Sequence, residues 1–217
     1  MPGSFDALVA ESVARIRRHQ PQGPYALAGH SYGGVLAAHI AARLEATGAQ
    51  VQFLGVLDTV PMPAGEVPVA AAQDPLVRCM YIGKACAHAF GLPHLALDES
   101  MFRALPDQQA CFALMRNLLL ENGVDPAVLE LEQLQMLERS FACLALLPVA
   151  ALPQLRCKLE VWTSEAHEAD FAQEWQSSSA GGVVSHRCQG DHLSMLHAEH
   201  GRALAQALAV AMRGSGV

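Results

Sequence analysis

A stretch with the pattern Gly-x-Ser-x-Gly, from Gly29 to Gly33, contains the residue types needed for nucleophilic catalysis. A serine between two such glycines can project from a sharp strand-to-helix turn, because glycine lacks the side chain that would collide there. The apolar run Tyr25 to Ala28 before it is typical of a buried strand, and Val35 to Leu44 after it is a good helix former. The sequence therefore predicts a nucleophile elbow with Ser31 at its tip and the backbone amide of Tyr32 as an oxyanion donor.

A serine hydroxyl needs a base to remove its proton and a carboxylate to orient that base. Asp58 follows the apolar run Val51 to Leu57, and His192 follows the predicted strand Val183 to Cys188. The carboxyl ends of parallel strands meet at one edge of a sheet, and the chain order Ser, Asp, His is that of α/β-hydrolases. We expect Ser31, Asp58 and His192 to form a catalytic triad at that edge.

Other side chains compete for the roles of acid and base. Glu165 and Asp170 are alternatives for the acid, because many hydrolases of this fold place it after the next strand, whereas Asp191 is expected to shape its loop. His30 adjoins the serine, but its backbone position is expected to direct it elsewhere. The remaining alternatives lie on or beside predicted helices: His39, His88, His94, His197 and His200.

Composition limits the class of protein. The chain has 217 residues, of which 52% are apolar and 16% charged, which is typical of one globular domain spanning residues 1–217. Its net charge of −7 does not suggest nucleic acid as a partner, and we expect no metal or bound cofactor. The absence of a long apolar run or a leader-like start predicts a cytoplasmic protein. Six scattered cysteines without a C-x-x-C pair are expected to be reduced thiols.

The remaining elements follow from apolar periodicity. Ser4 is expected to cap a first helix, and strands are predicted at Lys158 to Thr163 and Val183 to Cys188, with a helix near Ala169 to Gln176 between them. Between Asp74 and Leu147 the pattern predicts three consecutive helices, the third beginning at Asp125-Pro126. Three helices without a strand cannot be one crossover of a parallel sheet, so we expect an inserted helical lid at about residues 65–150, with a separate helical domain as the alternative.

The chain resembles the C-terminal thioesterase domains of nonribosomal peptide synthetases and hybrid polyketide assembly lines over nearly its whole length. The resemblance rests on motifs in a fixed order: Gln20 to Tyr25, Gly29 to Gly34, Val56 to Thr59, Phe102 to Pro106, and Gly190 to Leu196. It implies an α/β-hydrolase fold, with a mostly parallel sheet flanked by helices. It also implies a serine-dependent thioesterase of secondary metabolism, such as antibiotic biosynthesis, and it favours Asp58 over Glu165 as the acid.

The resemblance further implies a partner and a substrate. An acyl or peptidyl chain, carried as a thioester on the phosphopantetheine arm of a carrier protein, would be transferred to Ser31. Water or an internal nucleophile would then release it, by hydrolysis or by cyclisation. Family members also carry strands and a histidine- and glycine-containing loop before the segment where this sequence begins, which implies an N-terminally shortened domain with reduced activity. The strand Tyr25 to Ala28 would then be an exposed edge open to self-association.

Two further functions remain open from the sequence. One is a general carboxylester hydrolase of the same fold. The other is a catalytically weak fragment that serves as a docking piece for a carrier protein.

Overall fold

The computed structural model describes residues 2–66, 73–92, 94–126, 130–145 and 147–215. The chain divides into two compact units. The sheet unit comprises Met1–Glu66 and Pro148–Val217, and the helical unit comprises Val67–Leu147.

Four strands form the sheet in the order in which they occur along the chain, and every neighbouring pair is parallel. They are β1 (Tyr25–His30), β2 (Val51–Leu57), β3 (Leu159–Ser164) and β4 (Val183–Cys188). In the register of β1 and β2, His30 lies opposite Leu57. The ends of β1 and β2 therefore lie side by side, and the residues that follow them start from the same edge of the sheet.

Eight α-helices are present among the described residues. They are α1 (Phe5–His19), α2 (Tyr32–Ala46), α3 (Pro75–Ala89), α4 (Glu99–Arg103), α5 (Gln108–Glu121), α6 (Leu131–Ala145), α7 (Ala172–Trp175) and α8 (Ala198–Gly214). The first begins as the sequence predicts, because the Ser4 side chain accepts a hydrogen bond from the Ala7 amide and caps the first turn.

Helices pack against both faces of the sheet. Successive side chains of a strand point to opposite faces, so neighbouring residues of β2 contact different helices. Phe53 and Leu57 of β2 pack with Leu204 of α8 on one face. Val56 points to the other face, where α2 approaches it closely enough that a Cβ on Gly34 would lie 3.1 Å from its Cγ1 atom. The predicted architecture, a parallel sheet flanked by helices, is confirmed.

The helical unit has its own core. Val77, Phe102, Met115 and Leu134, one from each of α3 to α6, are at most 2% exposed within it. A buried ion pair joins α3 to α6, with 2.7 Å between Nε of Arg78 and Oε1 of Glu138. Each helix of the unit is thus packed against a common apolar centre.

Two sequence predictions for the helical unit need correction. The described residues of this unit contain four helices rather than three, because the short α4 adds one. The last helix, α6, begins at Leu131 rather than at Asp125, and residues 127–129 lie outside the described residues. Its apolar repeat is only partly buried, since Leu134 is 2% exposed but Leu131 and Leu137 are 37% and 48% exposed.

All six cysteines are free thiols, as expected, and Cys79, Cys111, Cys157 and Cys188 are buried. The serine-rich turn after α7 is anchored, because the buried Ser179 hydroxyl donates to the Cys157 carbonyl over 2.6 Å. Among the described residues, no helix is both long and apolar enough to cross a bilayer.

Candidate active site

Ser31 lies at the turn from β1 into α2. Its φ of +55° and ψ of −132° place it in a region that residues with a side chain rarely adopt. The turn is fixed on both sides, since the Ser31 amide donates to the Leu57 carbonyl over 2.9 Å and the Ser31 carbonyl accepts from the Gly34 amide over 2.8 Å. This is the geometry of a nucleophile elbow.

The glycines around the serine have different roles. A Cβ on Gly29 would lie 1.9 Å from the Gly33 carbonyl oxygen, and a Cβ on Gly34 would lie 2.7 Å from Cγ2 of Thr59. A Cβ on Gly33 would meet no atom within 4 Å. The steric requirement therefore falls on Gly29 and Gly34. The expectation that both glycines of the motif must lack a side chain is wrong for Gly33.

Asp58 follows β2 directly and also has a positive φ, of +51°. Its side chain is buried, and its Oδ1 atom accepts a hydrogen bond from the Ser164 amide over 2.8 Å. Of its two rivals, Glu165 is exposed. Asp170 is engaged elsewhere, since its Oδ2 atom accepts from the Ser185 hydroxyl over 2.7 Å.

His192 stands on the loop between β4 and α8. The loop is shaped by Asp191, whose Oδ1 atom accepts hydrogen bonds from the amides of Leu193 and Ser194, as the sequence predicts. Gly190 precedes it at a φ of +90°, where a Cβ would lie 2.8 Å from the Ser194 hydroxyl oxygen. A tight turn with no room for a side chain thus directs His192 out of the loop.

The structure brings Ser31, Asp58 and His192 together. Nδ1 of His192 donates to Oδ2 of Asp58 over 2.8 Å, and Nε2 of His192 accepts from the Ser31 hydroxyl over 3.0 Å. Tyr32, expected to supply an oxyanion amide, is the first residue of α2, and the amides of a first helical turn have no partner within the helix. The arrangement can remove the serine proton, hold the resulting imidazolium and receive negative charge.

Contacts around Asp58 keep it ionised. Burial alone would raise the pKa of this carboxyl and is the strongest single influence. The hydrogen bonds from His192 and Ser164, together with the charges of His167 and His192, outweigh it and lower the pKa to about 2. Asp58 therefore carries its negative charge throughout the neutral range, as a residue that orients a base must.

Two more histidines reach the site. His30 was expected to be directed elsewhere, which is wrong, and His167 was not predicted. Nε2 of His30 donates to the His192 carbonyl over 2.6 Å, and the two rings pack at 4.6 Å between centroids. Burial, followed by repulsion from His192, lowers the pKa of His30, which favours its neutral ring. Nε2 of His167 lies 3.2 Å from Oδ2 of Asp58. Only the position of His30 beside Ser31 offered a signal in the sequence.

Comparison with known proteins defines the class. A family model of the thioesterase domain matches residues 1–210, so the chain belongs to the thioesterase domain family. Similar solved structures include a four-domain nonribosomal peptide synthetase bound to AMP and glycine, at 22% identity and a TM-score of 0.78 over 94% of this chain and 16% of that one. The Vlm2 thioesterase domain matches at 22% identity and a TM-score of 0.68, over 96% of this chain and 76% of that one. These likenesses show the α/β-hydrolase fold.

Curated relatives match a shorter stretch. The inactive atromentin synthetase invA4 of Paxillus involutus is 53% identical over 58 residues, which is 27% of this chain. The atromentin synthetase nps3 of Serpula lacrymans is 50% identical over 57 residues, which is 26% of this chain. This chain matches about 6% of the length of each of these relatives.

No group of three or more histidine, cysteine, aspartate or glutamate side chains within the described ranges is arranged to hold a metal ion.

Proposed function

We propose that the chain is a serine-dependent thioesterase that releases an acyl or peptidyl chain from the phosphopantetheine arm of a carrier protein. One observation carries the proposal: in a member of the thioesterase domain family, a serine at a nucleophile elbow lies 3.0 Å from a histidine whose other nitrogen lies 2.8 Å from a buried aspartate. Ser31 is the proposed nucleophile, His192 the base, Asp58 the orienting acid and the Tyr32 amide an oxyanion donor.

The first half-reaction forms an acyl-enzyme. The Ser31 Oγ atom attacks the thioester carbonyl carbon while its proton passes to Nε2 of His192. The imidazolium is stabilised by the Asp58 carboxylate, and the negative charge on the former carbonyl oxygen faces the Tyr32 amide. When the C–S bond breaks, the departing thiolate takes the proton from His192, which leaves the acyl group as an ester on Ser31.

The second half-reaction repeats these steps with a different nucleophile. Neutral His192 removes a proton from water, or from a hydroxyl or amine of the bound chain itself, as that group attacks the ester. The C–O bond to Ser31 then breaks, and the Ser31 oxygen takes the proton back from His192, which restores the free enzyme. Water yields a free acid, and an internal group yields a ring. The same three side chains serve both outcomes, so the choice between them rests on how the acyl chain is held.

Intact-protein mass spectrometry tests the proposal. After incubation with an acyl-phosphopantetheinyl carrier protein, the chain should gain the mass of the acyl group, and Ser31→Ala should gain none. The product that is released later, a free acid or a ring, shows whether the acyl-enzyme is hydrolysed or cyclised. A chain that cleaves short p-nitrophenyl esters but ignores the carrier-bound thioester would instead be a general carboxylester hydrolase. A chain that binds the carrier protein but never acylates would be a docking piece.

The carrier partner is supported by the kind of protein to which the chain is similar. The relatives include atromentin synthetases and a four-domain nonribosomal peptide synthetase. In such a synthetase a carrier-bound thioester is the substrate that a thioesterase domain would receive, which is why we propose the carrier protein rather than a free thioester.

We further propose that the helical unit acts as a lid that binds the acyl chain. Its surface carries an apolar groove of about 460 Å³ between α3 and α6, lined by residues that include Tyr81, Ile82, Ala85, Cys86, Leu137 and Phe141. Tyr81 and Leu137 are 38% and 48% exposed, so the groove presents apolar surface that an acyl chain could cover.

Leu137→Glu tests this role of the groove. A charge in an apolar groove disfavours burial of a long acyl chain but has little effect on an acetyl group, so acylation by a long-chain donor should fall about tenfold or more while acetylation changes little. The measurement compares both donors by mass spectrometry. Met136→Glu is the control, because Met136 is 55% exposed on the same helix and does not line the groove. Equal losses for both donors would show general destabilisation instead.

A further inference from the structure

Asp58 is contacted by two imidazoles. Its Oδ2 atom accepts from Nδ1 of His192 over 2.8 Å and from Nε2 of His167 over 3.2 Å. A carboxylate oxygen has two lone pairs, so it can accept both donors at once. The contact to His192 belongs to the proposed triad, whereas the contact to His167 has no part in the proton transfers of that triad.

The loop that carries His167 is held to the sheet by several contacts. The His167 amide donates to the Ser164 carbonyl over 3.2 Å, and the Arg187 guanidinium donates to the His167 carbonyl over 2.6 Å. Phe171 packs against one face of the ring, at 4.6 Å between centroids. The imidazole is therefore fixed through its backbone and on one face, so that Nε2 stays directed at Asp58.

We propose that His167 is a positioning residue that holds the Oδ2 atom of Asp58 in place for His192. The Ser164 amide fixes Oδ1, and the second imidazole fixes Oδ2, so the carboxylate plane cannot turn away from the ring that it must orient. The inference rests on the proposed triad, because positioning matters only if His192 acts as the base.

Labelling of Ser31 by a fluorophosphonate measures the effect. His167→Leu should lower the second-order labelling rate about tenfold at pH 8, the size expected for loss of a hydrogen bond to a charged group. His167→Gln keeps an N–H donor and should stay within about twofold of the wild type at pH 8.

His186 supplies matched controls. It also donates to a buried carboxylate, with 2.6 Å between its Nε2 atom and Oε2 of Glu160, and its side chain is 31% exposed against 38% for His167. His186→Leu and His186→Gln remove the same kind of contact from the same sheet, so they report any general loss of stability. Both should label Ser31 within about twofold of the wild type.

Proton NMR gives a second readout that does not depend on catalysis. The proton between Nδ1 of His192 and Oδ2 of Asp58 should give a low-field resonance that is lost in His192→Ala. This resonance should shift in His167→Leu but not in the His186 variants. If the wild type is never labelled although the resonance responds to His167, the proposed function fails and the positioning role stands.

A wild-type labelling rate for His167→Leu, with an unshifted resonance, would overturn the proposal. If His167→Leu fails to fold, as judged by circular dichroism, the same two measurements are made on His167→Ala. A wild-type rate and an unshifted resonance in that variant then rule the role out.

Discussion

His192→Ala should abolish acyl-enzyme formation, with a fall of at least about 10⁴-fold in the rate at which Ser31 is acylated. Without the imidazole, no group accepts the Ser31 proton, because Nε2 of His192 is the nitrogen that lies 3.0 Å from the hydroxyl oxygen. The rate is measured by intact mass with a carrier-bound donor and, independently, with a fluorophosphonate. Binding of the carrier protein should be retained, since the variant alters only the proton transfer.

His197→Ala is the matched control. His197 lies five residues further along the same segment, directly before α8, and should leave acylation largely unchanged. A large loss with His197→Ala, together with residual acylation in His192→Ala, would show that the base has been wrongly assigned.

Asp58→Asn should lower the acylation rate about 10³- to 10⁴-fold while leaving the protein folded. The amide is nearly the same size as the carboxylate and can still accept from Ser164 through its oxygen. Its NH₂ group, however, would face Nδ1 of His192, which favours the wrong tautomer and leaves the imidazolium unbalanced. The rate should be compared with thermal unfolding of the same sample, so that lost chemistry is separated from lost structure.

Glu165→Gln is the control for this variant. Glu165 is the alternative acid suggested by the sequence, and it follows β3 as Asp58 follows β2. It is exposed, so the substitution should change acylation by less than about twofold. If Glu165→Gln lost more activity than Asp58→Asn, the acid would have to be reassigned.

The helices and strands were predictable because the sequence patterns that indicate them lie within short stretches of the chain. Strand β2 ends at Leu57, as an apolar run bounded by polar residues indicates, and β4 covers the predicted range Val183 to Cys188. The elbow was predictable because Gly-x-Ser-x-Gly encodes a backbone conformation directly. Topology explains why Ser31, Asp58 and His192 lie near one another, since residues after parallel strands start from one edge of the sheet. The choice of Asp58 over Glu165 came from the family resemblance.

What escaped prediction depends on contacts between distant residues. His167 reaches Asp58 from a loop after β3 that is held by several contacts, among them the hydrogen bond from Arg187 of β4. The periodicity of the sequence does not indicate such a contact. The motif contains two glycines, and the sequence does not show that there is room for a side chain at Gly33. The early start predicted for α6 relied on the local signal of an aspartate followed by proline, which is common in loops as well as at helix caps.

The backbone at Ser31 and Asp58 has a thermodynamic consequence. Both residues hold positive φ angles, +55° and +51°, and such conformations cost about 1–3 kcal/mol each for a residue other than glycine. For the backbone conformation alone, glycine would be the better residue at both positions. The proposed chemistry depends on the side chains of Ser31 and Asp58, and the backbone conformations of these same residues lower the stability of the fold. The rest of the sheet unit must offset that cost.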